Sequence, residues 1–152
     1  MSNQTNIETA QRPPGPPADL KALGDRLVGT WNISGENEGE TTWEWMEGGF
    51  FLNQRGWSRR EGLEQRYMQI IGYERTPGAE PADSITGRLY TNHGDTLTYV
   101  CEAEGDTMTI WMGEKGSPAV YTGTFAADGE TIEGEWVWPG GGYKETMTRI
   151  KP

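Results

Sequence analysis

From Thr30 to Ile150 the chain runs in short alternating stretches, broken by Gly, Asp, Asn or Pro roughly every 8–12 residues. That pattern suits a sandwich or barrel of short antiparallel strands. The stretch Thr41–Trp57, TTWEWMEGGFFLNQRGW, shows it best. Trp43 and Trp45 alternate with Thr42, Glu44 and Met46, and Glu47-Gly48-Gly49 turns the chain into Phe50-Phe51-Leu52. A two-residue turn at Glu47-Gly48 or at Gly48-Gly49 gives the same facing, because strand side chains repeat every second residue. Trp43, Trp45, Phe50, Leu52 and Gln54 then share one face. Glu44, Met46, Phe51, Asn53, Arg55 and Trp57 share the other. The first face suits either a plain core or the wall of a ligand cavity.

The same parity can be followed to the end of the chain. Arg59-Arg60-Glu61-Gly62 leads into a strand Leu63–Tyr73, and an even loop puts Tyr67, Gln69, Ile71 and Tyr73 on the face of Leu52 and Gln54. On the outer face Trp57 then sits beside Arg66 as a cation–π pair. Arg75–Asp83 reads as a loop. Strands Ser84–Thr91 and Thr96–Ala103 flank Asn92-His93-Gly94-Asp95, and Gly105-Asp106 turns into Thr107–Gly113. Asp128-Gly129 suits the two left-handed positions of a type I′ turn, pairing Phe125 with Ile132, Tyr121 with Trp136 and Ala119 with Trp138. Thr122, Thr124, Glu133 and Glu135 fall on the opposite, wet face. Pro139-Gly140-Gly141-Gly142 leads to a last strand, Tyr143–Ile150, with Tyr143, Glu145, Met147 and Arg149 inward. About ten strands in up-and-down succession are expected to close into an all-β barrel, since closure removes exposed edges. Before them, Asp19 is expected to cap a short helix with Leu20, Leu23 and Leu27 at helical spacing, ended by Gly29. Residues 1–18, polar and then proline-rich, read as a disordered tail, and 19–152 as one domain.

Composition bounds the function classes. A chain of 152 residues fits a single domain with a proper core, and 22 Gly, seven Trp and six Tyr fit tight turns and aromatic packing. The formal net charge of −10 argues against nucleic acid or an anionic membrane as a partner. Cys101 is the only cysteine, so no internal disulfide forms and a reducing compartment fits. No apolar run approaches the ~20 residues of a membrane span. The start, MSNQTNIETAQ, lacks the basic and apolar regions of a secretory signal. A soluble cytoplasmic protein is expected.

A helical turn followed by Leu27-Val28-Gly29-Thr30-Trp31 resembles the Gly-x-Trp opening of the calycin superfamily, which includes lipocalins, fatty-acid-binding proteins and nitrobindins. In that superfamily a basic residue near the end of the last strand lies across the Trp, and Arg149 stands where it belongs. Trp45-x-x-Gly48-Gly49-Phe50-Phe51-Leu52-x-Gln54-Arg55, Ile71-Gly72-Tyr73 and Glu145-x-x-x-Arg149 resemble an uncharacterised bacterial group of lipocalin-like proteins. The likeness covers most of residues 20–151. It implies a closed barrel whose base is plugged by the short helix, and it brings no agreed activity.

The candidate chemistry is sparse. Trp31 and Arg149 are expected to close the base, guanidinium stacked on indole. Trp43, Trp45, Tyr67, Tyr99, Tyr121 and Trp136 read as core or as cavity wall. Gln54, Gln69 and Glu145 point inward, and an unpartnered buried amide or carboxylate costs about 1–3 kcal/mol, so each needs a protein, water or ligand partner. Arg149 is one such partner for Glu145. His93, the only histidine, reads as a solvated turn residue, with an acid–base role at a barrel mouth as the alternative. The nitrobindin likeness would make a histidine a haem ligand. Here, however, Ile33 replaces the first of that family's two later glycines, only Gly35 fits the second, and no His occurs late in the chain. One His and one Cys do not supply a usual N/S metal site, so neither metal nor cofactor is expected. Cys101 reads as an inert buried thiol.

Three functions are compatible with these residues. The first is binding of a small hydrophobic or aromatic molecule, walled by the aromatic set and fixed by Gln54, Gln69 and Glu145. The second is an isomerase or cyclase with Glu145 or His93 as acid or base. The third is a structural or partner-binding protein, with a filled barrel and a homodimer contact through Phe51 and Trp57.

Overall fold

The computed structural model describes residues 15–151. Helix α1 spans Ala18–Leu27. Strands β1 (Gly29–Gly35), β2 (Glu38–Trp45), β3 (Phe51–Arg60), β4 (Leu63–Gly72) and β5 (Ile85–Thr91) follow. Then come β6 (Thr96–Glu104), β7 (Thr107–Met112), β8 (Val120–Phe125), β9 (Thr131–Trp138) and β10 (Gly141–Ile150). Each strand pairs antiparallel with its neighbours in sequence, and β10 returns to β1, so the sheet is a closed ten-stranded barrel. Among the described residues no helix is long and apolar enough to cross a membrane.

The registers are those that period-2 patterning requires. Trp43 faces Gln54, Gln54 faces Gln69, Tyr121 faces Trp136 and Phe125 faces Ile132. All of these side chains point into the barrel, while Glu133 and Glu135 remain exposed. The apolar stripe of α1 buries Leu20, Leu23 and Leu27 against Trp31, Trp43 and Leu52, closing one end. At that end the Arg149 guanidinium lies 4.3 Å from the centroid of the Trp31 ring. Its Nη1 donates to Val28 O at 2.6 Å and its Nη2 to Arg26 O at 2.8 Å, tying α1 to β10. Trp31 Nε1 donates to Leu27 O at 2.8 Å, which holds the stacked indole under the helix.

Several local expectations are corrected. The tail expected over 1–18 lies outside the described residues as far as 14, and Ala18 already belongs to α1. Pro17, rather than Asp19, is the N-cap of that helix. Asp19 sits in the first turn and accepts from the Tyr73 hydroxyl. Of the two turns left open for the β2–β3 hairpin, the register follows the one centred on Gly48-Gly49. Pairing stops at Met46 and Phe51, however, which leaves Phe50 in the loop. The expected type I′ turn at Asp128-Gly129 does not form: Gly129 is left-handed and Asp128 is not. The Gly129 N–H instead donates to Ala126 O at 2.9 Å, and the Asp128 carboxylate accepts from the Glu130 N–H. A left-handed pair forms instead at Glu61 (φ 53°) and Gly62 (φ 79°), the two-residue turn between Arg60 and Leu63, and Gly48 and Gly49 also have positive φ. β10 begins at Gly141, two residues before its expected start. Trp57 does face Arg66 in register, but that guanidinium reaches Glu64 at 4.0 Å rather than the ring.

Candidate functional site

Ten strands enclose more space than their inward side chains fill. A cavity of about 170 Å³ lies above the Trp43–Leu27 layer. It continues into a wider mouth of about 520 Å³ at the end away from α1, with Arg60, Leu63, Met112 and Trp138 on its rim. Tyr67, Gln69, Tyr99, Tyr121, Trp136 and Glu145 come from β4, β6, β8, β9 and β10 to line the inner chamber. Tyr99 and Tyr121 flank Trp136, with ring centroids 5.8 and 5.6 Å from it. Glycines make room for these groups. A Cβ at Gly134 would lie 2.0 Å from the Tyr121 hydroxyl oxygen, and one at Gly87 would lie 2.0 Å from Gln69 Oε1.

The polar lining forms two small networks. Gln69 Nε2 donates to Gln54 Oε1 at 2.5 Å, and Gln54 Nε2 donates to Thr41 Oγ1 at 3.0 Å. Gln54 thus has a partner at both ends of its amide, one of them Gln69. Nearer the mouth, Asn37 Nδ2 donates to Glu145 Oε1 at 3.0 Å. Asn37 is brought there because Glu36 clamps the β1–β2 turn onto β10: its N–H donates to Lys144 O, and its carboxylate accepts from the Lys144 N–H. Asn37 Oδ1, Trp43 Nε1 and the Tyr121 hydroxyl, on residues that line the cavity, are buried without a hydrogen-bond partner within the described protein, as is Asn53 Oδ1 on the outer parity of β3.

Electrostatics follows from burial. Desolvation raises the Glu145 carboxyl above its ordinary range, opposed only by the Asn37 hydrogen bond. Burial pushes the Tyr67 and Tyr99 phenols up to about 12. It raises Tyr121 and Tyr143 as well, and the neighbouring Glu145 adds to the shift at both. Burial also takes the Cys101 thiol to about 12, as an inert thiol requires. Arg149, the structural partner expected for Glu145, is not one: its Nε donates to Glu130 at 3.1 Å and its remaining contacts are at the base.

Of the sequence candidates, Trp43, Gln54, Tyr67, Gln69, Tyr99, Tyr121, Trp136 and Glu145 come together around the cavity. Trp45 and His93 do not. Trp45 sits at the plugged end, where Nε1 donates to Asp25 at 3.1 Å and its ring fills the space above Gly24. His93 is in the exposed β5–β6 turn, its Nε2 2.8 Å from Glu64 O, outside the chamber. Asn37, Thr41 and Ser58 line the cavity without having been singled out, and Tyr143, expected inward, joins them. Thr41 and Ser58 were readable, since they continue the inward parity of Trp43 and Gln54. Asn37 carries no sequence signal, because a turn asparagine ordinarily faces water. Among the described residues, no group of three or more His, Cys, Asp or Glu side chains is placed to hold a metal ion.

The chain matches no protein-family model and no curated protein sequence. The closed barrel, with its N-terminal helix across the base and its Trp31–Arg149 stack, is consistent with a calycin-like fold.

Proposed function

We propose that this barrel binds a small molecule with an apolar or aromatic body and a polar end, admitted through the mouth opposite α1. The observation that carries this reading is an aromatic-walled chamber whose lining includes the buried carboxyl of Glu145 and residues, Asn37, Trp43 and Tyr121, that each carry a buried polar atom without a protein partner. A solid core satisfies or excludes such atoms, whereas a binding site leaves them for its guest. An apolar cavity of about 150 Å³ takes up benzene, so the inner chamber suits a guest of one ring or its equivalent, with any longer portion in the mouth. Kinship with the bacterial lipocalin-like group belongs to the same proposal, supported by the helix plug and the Trp31–Arg149 stack, as does a cytoplasmic location, supported by the lone free cysteine, Cys101.

Indole N–H resonances of ¹⁵N-labelled protein, titrated with phenol and with free indole, test it. The signals of Trp43 and Trp136 are expected to shift together and saturably, while that of Trp57 on the outer face stays put. No saturable shift at either inner tryptophan up to millimolar probe would overturn the reading.

One observation favours a second reading, an isomerase or cyclase. Glu145 is a buried carboxyl with a raised proton affinity inside a guest-sized space, as a general acid requires. His93 has no part in it. In that case Glu145→Gln removes turnover of a bound guest and leaves its affinity unchanged.

A further inference from the structure

The chamber has a marked charge asymmetry. Glu145 is its one ionisable carboxyl, and no Lys, Arg or His lines it. Among the described residues Glu145 has no salt-bridge partner; a single amide from Asn37 is its hydrogen bond. The same chamber is lined by Tyr67, Tyr99, Tyr121, Trp136 and Tyr143, whose ring faces carry partial negative charge. A carboxylate-ended guest such as a fatty acid would meet like charge here. A bare metal ion would find too few oxygens, since hard cations take six or more. The surroundings that remain suit a cation whose charge is spread over carbon. The rim already hosts one such contact, the Arg60 guanidinium lying 4.6 Å from the Tyr143 ring centroid and 5.6 Å from that of Trp138.

We propose that the guest is a small organic cation, a quaternary ammonium group, held against the Glu145 carboxylate beside the rings of Tyr99, Tyr121 and Trp136. This rests on the binding reading above and names the class of ligand. The cation supplies the counter-charge that the protein does not, and the rings desolvate it at little cost. A guest whose own charge never titrates then drives ionisation of Glu145. The groups facing that carboxyl are Asn37 from the β1–β2 turn and Tyr67, Tyr121 and Tyr143 from β4, β8 and β10. The phenols keep their protons through the neutral range, so Glu145 alone sets the pH dependence.

Calorimetric titration of the full chain with choline, and with its neutral isostere 3,3-dimethylbutan-1-ol, tests the proposal. Choline is expected to bind at least about tenfold more tightly than the alcohol. Its affinity should rise with pH and level off once Glu145 is ionised, and Glu145→Gln should abolish both the preference and the pH dependence. The comparison of the two probes on the unaltered protein needs no variant to fold. If the alcohol binds as well as choline, or phenol binds and choline does not, the cationic assignment falls while the binding reading stands. If choline, the alcohol, phenol and indole all fail to bind at millimolar concentration, both fall.

Discussion

At the scale of single residues, Glu145 and Tyr121 are the exposed points of the account. Burial raises the folded-state pKa of Glu145 above its value in the unfolded chain. The unfolded state therefore releases this proton first as pH rises through the ordinary carboxylate range. Stability from this residue is fully present below that range and is lost as pH rises, until Glu145 ionises in the folded state as well. Urea denaturation across that window is expected to show Glu145→Gln gaining on the parent protein as pH rises; a difference independent of pH would contradict the assignment. Tyr121 presents the complementary case. Its hydroxyl is buried and unpartnered in the protein, so Tyr121→Phe removes a polar atom that contributes no internal hydrogen bond. Unfolding free energy should stay level or rise by about 1 kcal/mol. A loss of more than about 1 kcal/mol would mean that the hydroxyl has a partner that matters to folding.

At the scale of elements, the barrel end covered by α1 is held by packing and by one arginine. Gly24 lies under Trp45, and a Cβ there would come within 2.2 Å of the ring. Helix propensity alone says that Gly24→Ala stabilises by about 1 kcal/mol, while overpacking costs about 1–3 kcal/mol. Trp45 is anchored through Asp25 and has little freedom to yield, so the net result is expected to be a lowered melting temperature. Arg149→Lys keeps the charge but loses the planar fork that reaches Val28, Arg26 and Glu130. A cost of about 2 kcal/mol in chemical denaturation is expected. Strand parity was legible in the sequence because an even turn preserves facing whatever its type, which is why the Gln54–Gln69 and Tyr121–Trp136 pairs could be read off directly. Turn types were not. Asp128-Gly129 has the composition of a left-handed pair, yet the Asp128 side chain accepts from the Glu130 N–H and only Gly129 turns left-handed, whereas the less conspicuous Glu61-Gly62 takes that geometry. The inward glycines were a signal left unread. Gly87, Gly123 and Gly134 occupy positions where a side chain should point inward, and each marks the place of a neighbour's large group.

At the scale of the whole molecule, closure decides what the interior becomes. Ten strands joined edge to edge leave no free edge, and their circumference exceeds what the inward side chains fill near the mouth. The site residues that parity places inward were accordingly accessible from sequence. Residues whose position depends on how one end is sealed were not: Trp45 shares the parity of Trp43 but lies a turn nearer the helix, and the Glu145–Arg149 spacing suggested a pair that the base contacts pull apart. The net charge of −10 attracts cations to the molecule as a whole, so binding of a cationic guest should weaken as salt is raised. The central claim is that the barrel is hollow beside the packed rings of Tyr99, Tyr121 and Trp136. Crystals pressurised with xenon test it most directly, because xenon occupies apolar space that the protein leaves open. The account predicts one ordered xenon site in the chamber that those three rings line. An interior without xenon, filled instead by repacked side chains, would contradict it.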